Sequence, residues 1–365
     1  MKSKKNKFIS SFIAGSLIIF NFASIKVNAM NINVNARAAV AIDSKSKIVL
    51  YEKNANMLIP MASTTKIMTA LVALKYGDLD KRFEISSKAS AIRGSTVGYK
   101  KGDMISLKEL IYGLMLRSGN DAAIAIAEGI GGSVEGFVRI MNEYANQIGL
   151  CSTNFESPHG LDSENHYCSA YDLALITIKA REDKLFNEIV ATKDLDKKDS
   201  DFTRSYHNIN KILWLLPESS GVKTGYTGKA GKCLVSSVDV QNNDVIIVVL
   251  NSPERWKETK KIYDYINKNY DYKQFFSKEE VVDEFNINHS SKVLKLTTEN
   301  EIILPVNKSG SYEVKISKPT ENIKLPIVKG TKLGSINIYE GDKKIYTNYL
   351  VTGNDIKTKK WFFFK

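Results

Sequence analysis

Strand-like segments stand at both ends of a long helical block in this chain. Residues 37–42 and 48–51 flank a polar turn and predict an opening hairpin. Strand character then returns at 221–224, 233–236 and 245–250, and the last segment is a continuous apolar run typical of a central strand. The pattern therefore predicts one sheet assembled from distant segments, with a cluster of helices beside it.

The block between these strands has the apolar spacing of α-helices. Apolar residues recur at helical intervals from 67 to 74, which predicts a helix with Ser63 at its N-terminus. Ser106 and Glu109 form a capping box ahead of a second helix, and Asp121 opens an alanine-rich third. Further helices are predicted at residues 134–148, near 171–180 and at 254–269.

The length of 365 residues favours two or three domains. Helical periodicity disappears from residue 281 to residue 352, where short β-rich runs alternate with turn residues. We predict four segments: a signal peptide at 1–29, a main α+β domain at 30–275, a small all-β domain at 276–352 and a basic-aromatic tail at 353–365.

The N-terminal segment predicts export. It combines a lysine-rich start, an apolar stretch from Phe8 to Ile25 and the small-residue pattern Val27-Asn28-Ala29, which is typical of a cleaved secretory signal. The alternative is an uncleaved membrane anchor, and both interpretations place the body of the protein outside the cytoplasm, in the cell wall or at the outer face of the membrane. This segment holds five lysines and no acid, so it supplies much of the net charge of +12. Without a concentrated basic helix, the charge does not indicate a nucleic-acid partner.

Metal and cofactor motifs are absent from the sequence. The three cysteines, Cys151, Cys168 and Cys233, lack C-x-x-C spacing, so no zinc site and no cofactor are predicted. Whether Cys151 and Cys168 pair in an oxidising compartment stays open, because spacing does not define Cβ geometry. The four histidines are scattered, and structural roles are the better interpretation for them.

The candidate chemistry begins at Ser63 and Lys66, which lie one helical turn apart with hydroxyl and amine on the same face. A lysine acts as a base only when its pKa is depressed, which Lys223 would favour as a second cation. Alone this S-x-x-K pattern is more typical of a capped helix with a solvated lysine. It is followed by Ser118-Gly119-Asn120 between helices and by Lys223-Thr224-Gly225 on a strand, the order of a three-motif serine acyl-transfer site.

Together the three motifs identify a family resemblance. S-T-T-K at 63–66, S-G-N-D-A at 118–122 and K-T-G-Y-T at 223–227 resemble the low-molecular-mass penicillin-binding proteins, which are serine-type D-alanyl-D-alanine carboxypeptidases. The resemblance covers nearly the whole chain after the signal. It implies an α+β fold with a β-lactamase/transpeptidase-like domain, in which an antiparallel sheet adjoins a helical cluster, followed by a small all-β C-terminal domain.

The resemblance also implies a reaction. Ser63 would be acylated by the penultimate D-alanine of peptidoglycan pentapeptide stems ending in D-Ala-D-Ala, and Lys66 would take its proton. Ser118 and Asn120 would relay protons and orient the substrate. Release of the terminal D-alanine precedes hydrolysis by water, and β-lactams would act as covalent inhibitors on Ser63.

Substrate-binding roles follow from the third motif. The amides of Ser63 and Tyr226 would form the oxyanion hole, beside Gly225. Lys223, Thr224 and Arg255 would bind the terminal carboxylate, although a solvated first-turn residue is an equal interpretation of Arg255. The chain departs from the pattern at Tyr226, where some members have histidine, and at Ile209, where some have arginine.

Alternatives remain. A β-lactamase of the same fold would need a deacylating glutamate in an E-x-x-L-N context, which Glu156 lacks. A catalytically silent cell-wall-binding protein would use the β-rich module, but the intact motifs argue against it.

The segment His159–Asp162 is interpreted as a loop turn beside the site. The tail Lys357–Lys365 predicts weak membrane-surface contact, with a frayed terminus as the alternative.

Overall fold

The computed structural model describes residues 32–357 except 288–289, 291 and 320–322. The α-helices of this part are α1 (Lys66–Tyr76), α2 (Ser87–Ser90), α3 (Leu107–Leu116), α4 (Asn120–Gly131), α5 (Val134–Gln147), α6 (Ala170–Ala180), α7 (Lys184–Ala191), α8 (Ile212–Leu215) and α9 (Arg255–Asn269). Short 3₁₀-helices span Ala62–Thr65 and Lys197–Asp199.

The strands up to residue 250 are β1 (Ala38–Asp43), β2 (Val49–Lys53), β3 (Arg82–Glu84), β4 (Met104–Ser106), β5 (Thr153–Asn154), β6 (Tyr167–Cys168), β7 (Asp194–Leu195), β8 (Tyr206–His207), β9 (Ser219–Thr227), β10 (Gly231–Val240) and β11 (Asn243–Leu250). The later strands are β12 (Tyr270–Phe276), β13 (Val281–Asn286), β14 (Val293–Thr298), β15 (Ile302–Asn307), β16 (Tyr312–Ser317), β17 (Lys332–Glu340) and β18 (Lys343–Thr352).

The main sheet joins the two ends of the first 250 residues, as the sequence pattern predicts. Its five antiparallel strands have the order β2-β1-β11-β10-β9. The apolar strand β11 occupies the centre, with Val248 opposite Val40 on one side and Val235 on the other. Strand β9 is at the edge, so one of its sides is open to other elements.

Helices on both faces of this sheet explain why β11 is apolar throughout. Ile246, Val248 and Leu250 pack into the core shared with the central helices. Ile247 and Val249 point to the opposite face and pack in a second core with residues of α9. Because successive side chains of a strand point to opposite faces, a strand covered on both sides must be apolar at every position.

The β-rich module downstream of α9 contains a second five-stranded sheet, ordered β13-β14-β18-β17-β16, and the pair β12-β15. Leu296, Leu304, Ile336 and Leu350 are buried between these strands. The predicted α+β architecture with an all-β C-terminal module is confirmed.

The structure also corrects details of the sequence interpretation. Helix α1 begins at Lys66, one turn later than predicted, because Ala62–Thr65 form a 3₁₀-helix. Helix α7 was not predicted. Cys151 is exposed, Cys168 is buried, and neither is in a disulfide. The predicted signal peptide and residues 358–365 of the tail lie outside the described residues. Among the helices that are described, none has both the length and the hydropathy needed to span a bilayer.

Candidate active site

Ser63 lies on the 3₁₀-helix that leads into α1. Ala62, which precedes it, has φ of 51°, a left-handed conformation that residues other than glycine rarely adopt. The side chain of Thr64 donates to the carbonyl of Met61 at 2.6 Å and closes the turn. Ser63 itself is half-buried, so part of the residue remains accessible to solvent.

Lys66 extends fully buried from the first turn of α1 to Ser63. Its Nζ lies 2.8 Å from three oxygens, namely Ser63 Oγ, Asn120 Oδ1 and the carbonyl oxygen of His159. The pKa of Lys66 is lowered well below its usual value, chiefly by burial and further by the positive charge of Lys223, while Asp121 acts in the opposite direction. These surroundings therefore make the Lys66 amine easier to deprotonate than that of a solvated lysine.

The second motif lies in the turn between α3 and α4. Ser118 is buried and adopts φ of 58°. Asn120 donates from Nδ2 to the carbonyl of Arg93 at 2.6 Å, which turns its Oδ1 towards Lys66. The turn thus orients the Asn120 amide with its oxygen on the lysine.

Asp121 holds this turn in place. Its buried carboxylate accepts backbone N–H bonds from Val97, Gly98 and Tyr99, at 2.9 to 3.2 Å. A carboxylate that accepts several backbone bonds is strongly held. It fixes the loop before Lys100 against the start of α4, next to Asn120.

The third motif occupies edge strand β9, beside the Ser63 turn. A Cβ added to Gly225 would lie 3.0 Å from the Met61 carbonyl oxygen and 3.0 Å from Ser63 N. The absence of a side chain at Gly225 is therefore what permits this approach. Lys223 and Thr224 precede it and are both buried. The structure thus places residues of the three motifs close together.

Lys223 is the second buried cation of the site. Its Nζ donates to the carbonyl of Thr224 at 2.9 Å. Burial lowers its pKa to about 7, and the neighbouring charge of Arg255 contributes to the shift.

Arg255 and Tyr226 flank this strand. Arg255 Nη1 donates to the carbonyls of Gly225 and Cys233 at 2.8 and 3.2 Å. Its guanidinium lies 4.6 Å from the ring centroid of Trp256. Arg255 is the first residue of α9, but its side chain is bound to main-chain carbonyls. The alternative that it is a solvated residue is therefore wrong. The side chain of Tyr226 is 67% exposed.

The loop at 159–162 contributes more than a turn. Its His159 carbonyl binds Lys66, and Asp162 accepts a bond from Thr227 at 2.6 Å, which ties the loop to β9. Sequence reasoning missed His159 and Asp121 as parts of the site. A main-chain carbonyl has no sequence signal, whereas Asp121 stood inside the quoted S-G-N-D-A motif. Within the described part of the chain, no cluster of three or more His, Cys, Asp or Glu side chains is arranged to hold a metal ion.

A serine beside a buried lysine, between an edge strand and a helical cluster, is the arrangement of a serine acyl-transferase of the transpeptidase-like fold. A model of the family described as D-alanyl-D-alanine carboxypeptidase matches residues 25–254. A model of the C-terminal domain of penicillin-binding protein 5 matches residues 270–358. The chain belongs to the D-alanyl-D-alanine carboxypeptidase family.

Individual relatives agree with this assignment. The D-alanyl-D-alanine carboxypeptidase DacF of Bacillus subtilis is 32% identical over 334 residues, covering 88% of this chain and 86% of the relative. The crystal structure of penicillin-binding protein 5 from Haemophilus influenzae superposes with a TM-score of 0.79 and 29% identity, covering 90% of this chain and 99% of that one. A DD-transpeptidase of Streptomyces matches with a TM-score of 0.60 and 32% identity, covering 64% of this chain and 98% of that one.

Proposed function

We propose that this protein is an exported carboxypeptidase that removes the terminal D-alanine from peptidoglycan pentapeptide stems through an acyl-enzyme on Ser63. The family assignment supports the activity. The contacts of Lys66 support the serine mechanism, and they are the observation on which the proposal rests.

The three partners of Lys66 determine how its amine works. Asn120 Oδ1 and the His159 carbonyl oxygen can only accept hydrogen bonds. In the neutral amine both N–H groups are therefore used by these two oxygens, and the lone pair remains for the third direction, towards Ser63 Oγ. The arrangement aims the base at the serine hydroxyl.

The proposed reaction then proceeds in two halves. Ser63 Oγ attacks the carbonyl carbon of the penultimate D-alanine while its proton moves to Lys66. Collapse of the tetrahedral intermediate breaks the peptide bond, and the proton passes to the departing amine with Ser118 and Asn120 as relay. Water then hydrolyses the ester and restores Ser63. Loss of one oxyanion donor, here the amide of Ser63 or Tyr226, costs about 3 kcal/mol in similar sites.

The positive charges of β9 suit a substrate with a free carboxylate. We assign carboxylate binding to Lys223 and Thr224, beside Gly225. Arg255 adds positive charge beside β9, where its Nη1 donates to two main-chain carbonyls. The same site would bind β-lactams covalently on Ser63.

A β-lactamase of the same fold is the competing activity. Its dedicated deacylating base has no evident counterpart at Glu156, which is exposed and accepts a bond from the backbone of Asn165. Slow hydrolysis of a penicilloyl adduct would favour the carboxypeptidase over the β-lactamase.

Export, the four-segment division and the membrane contact of the tail are parts of the proposal. The lysine-rich start, apolar stretch and small-residue site of residues 1–29 support export. The β-rich strands after α9 support a separate C-terminal module. The tail Lys357–Lys365 supports only weak membrane contact, since nine residues bury little apolar area.

The test is covalent labelling together with product release. Intact mass is followed after addition of benzylpenicillin, and D-alanine release is measured from a diacyl-Lys-D-Ala-D-Ala peptide. We expect a persistent adduct and D-alanine release from the native protein, and neither from Ser63→Ala or Lys66→Ala. Lys75→Ala, at an exposed lysine of the same helix, is the matched control and should retain both.

Three other outcomes would contradict the proposal. D-alanine release by Ser63→Ala would exclude the serine mechanism. Rapid drug destruction without peptide cleavage would favour a β-lactamase. A native protein with neither reaction would leave the cell-wall-binding alternative.

A further inference from the structure

A chain of three hydrogen bonds, two of them buried, ends at the carbonyl that precedes Ser63. Glu156 N donates to His166 Nδ1 at 2.9 Å, His166 Nε2 lies 2.8 Å from Thr65 Oγ1, and Thr65 Oγ1 donates to the Ala62 carbonyl at 2.8 Å. Thr65 and His166 are both buried. The chain links the loop after β5 to the nucleophilic turn.

The proton positions in this chain follow from its first bond. Because His166 Nδ1 accepts from a main-chain N–H, the proton of the neutral imidazole lies on Nε2. Nε2 therefore donates to Thr65 Oγ1, and the hydroxyl hydrogen of Thr65 is left for the Ala62 carbonyl. Burial lowers the pKa of His166 to about 4, which agrees with a neutral ring at neutral pH.

The end of the chain controls a peptide plane of the active site. The Ala62 carbonyl and the Ser63 N–H belong to the same planar peptide unit, so fixing one fixes the direction of the other. This unit follows a residue with φ of 51°. Such a conformation costs about 1–3 kcal/mol and persists only where its surroundings hold it.

The loop backbone at Gly160 also lies close to the same carbonyl, next to Thr65 Oγ1. A Cβ on Gly160 would lie 2.0 Å from the Ala62 oxygen, so the loop backbone passes very close to it. Two elements, the loop at Gly160 and the side chain of Thr65, thus define where this oxygen lies.

We propose that Thr65 and His166 are positioning residues that orient the Ser63 peptide plane, so that its N–H points to the oxyanion formed during acylation. This inference rests on the proposed function, because it needs Ser63 as the nucleophile and its amide as an oxyanion donor. Neither residue contacts the reacting atoms. Their effect is on the rate of acylation rather than on substrate binding.

The test compares Thr65→Val, which removes the hydroxyl at nearly constant volume, with Thr65→Ser, which keeps it. Thr177→Val is the matched control, since Thr177 is equally buried and donates to a carbonyl within α6, at Leu173. The measurements are the second-order acylation rate with benzylpenicillin, and kcat and KM for D-alanine release. All rates are divided by the fraction of protein that benzylpenicillin labels at completion.

We expect Thr65→Val to lower the acylation rate and kcat at least about tenfold with little change in KM, since displaced oxyanion donors lower kcat. Thr65→Ser and Thr177→Val should stay within about twofold of the native rates. His166→Leu should resemble Thr65→Val, and the double variant should lose little more, because both side chains act through one chain of bonds. If His166→Leu does not fold, the comparison of Thr65→Val with Thr65→Ser still tests the inference.

Native rates in Thr65→Val, an effect confined to KM, or an equal loss in Thr177→Val would each overturn the inference while leaving the proposed function intact. Failure of the native protein to form an adduct on Ser63 would overturn the proposed function, and the inference with it.

Discussion

Lys223 should destabilise the folded protein, and the size of this effect should depend on pH. Its ammonium is buried, and burial, with the charge of Arg255, lowers its pKa to about 7. A lysine in the unfolded chain has a pKa of about 10.4. Lys223→Met keeps most of the length of the side chain and removes the charge, so the variant should be more stable than the native protein at neutral pH.

The magnitude follows from the two pKa values. Below the pKa of the folded protein, Lys223 is charged in both the folded and the unfolded protein. The full pKa difference then disfavours the folded state, by about 4–5 kcal/mol. Above the unfolded value neither state is charged and the penalty disappears. Between them it falls from about 4 kcal/mol at pH 7 to about 2 kcal/mol at pH 9. The packing change in Lys223→Met adds a contribution that does not depend on pH.

The assay is urea unfolding followed by tryptophan fluorescence at pH 7 and pH 9. The gain in free energy of unfolding for Lys223→Met should be about 2 kcal/mol larger at pH 7 than at pH 9. Lys232→Met, at an exposed lysine of the neighbouring strand, is the control and should show no such difference. An equal gain at both pH values, or a gain smaller at pH 7 than at pH 9, would refute the reasoning.

Two further predictions concern the surroundings of Ser63. Gly225→Ala places a methyl group 3.0 Å from Ser63 N, so acylation by benzylpenicillin should slow about tenfold or more; an unchanged rate would mean that β9 does not constrain the turn. Asp121→Asn turns an amide donor towards backbone N–H groups that now bind a carboxylate. It should lower the free energy of unfolding by about 2–3 kcal/mol, measured by thermal or urea unfolding, and a loss below 0.5 kcal/mol, on the order of a surface substitution, would contradict that role.

The periodic parts of the fold could be predicted because their signals are local. The apolar run in β11 indicates a strand covered on both faces, and the structure places it at the centre of the sheet. Ser106 accepts from the backbone of Glu109, as the capping pattern indicates. The left-handed Ala62 could not be predicted, because alanine has no preference for that conformation. This conformation is maintained by contacts with Gly160, in a separate loop, and with Thr65, three residues further along the same turn.

The site divides in the same way. The proposed roles of Ser63, Lys66 and Lys223 depend on side-chain chemistry, so motif spacing could point to these residues. The carbonyl of His159 has no such identity, since every residue has one, and its selection depends on where a loop passes over α1. The contacts of Arg255 could not be predicted from the sequence either, because its carbonyl partners belong to two strands paired across a turn.

The contacts of Lys66 have a consequence for the life of the chain before folding is complete. The two acceptors that direct its lone pair, Asn120 and the His159 carbonyl, are 54 and 93 residues away in sequence. In an unfolded chain Lys66 is an ordinary solvated ammonium and Ser63 an ordinary alcohol. Folding therefore assembles the proposed base and nucleophile, and a chain that has not folded lacks both.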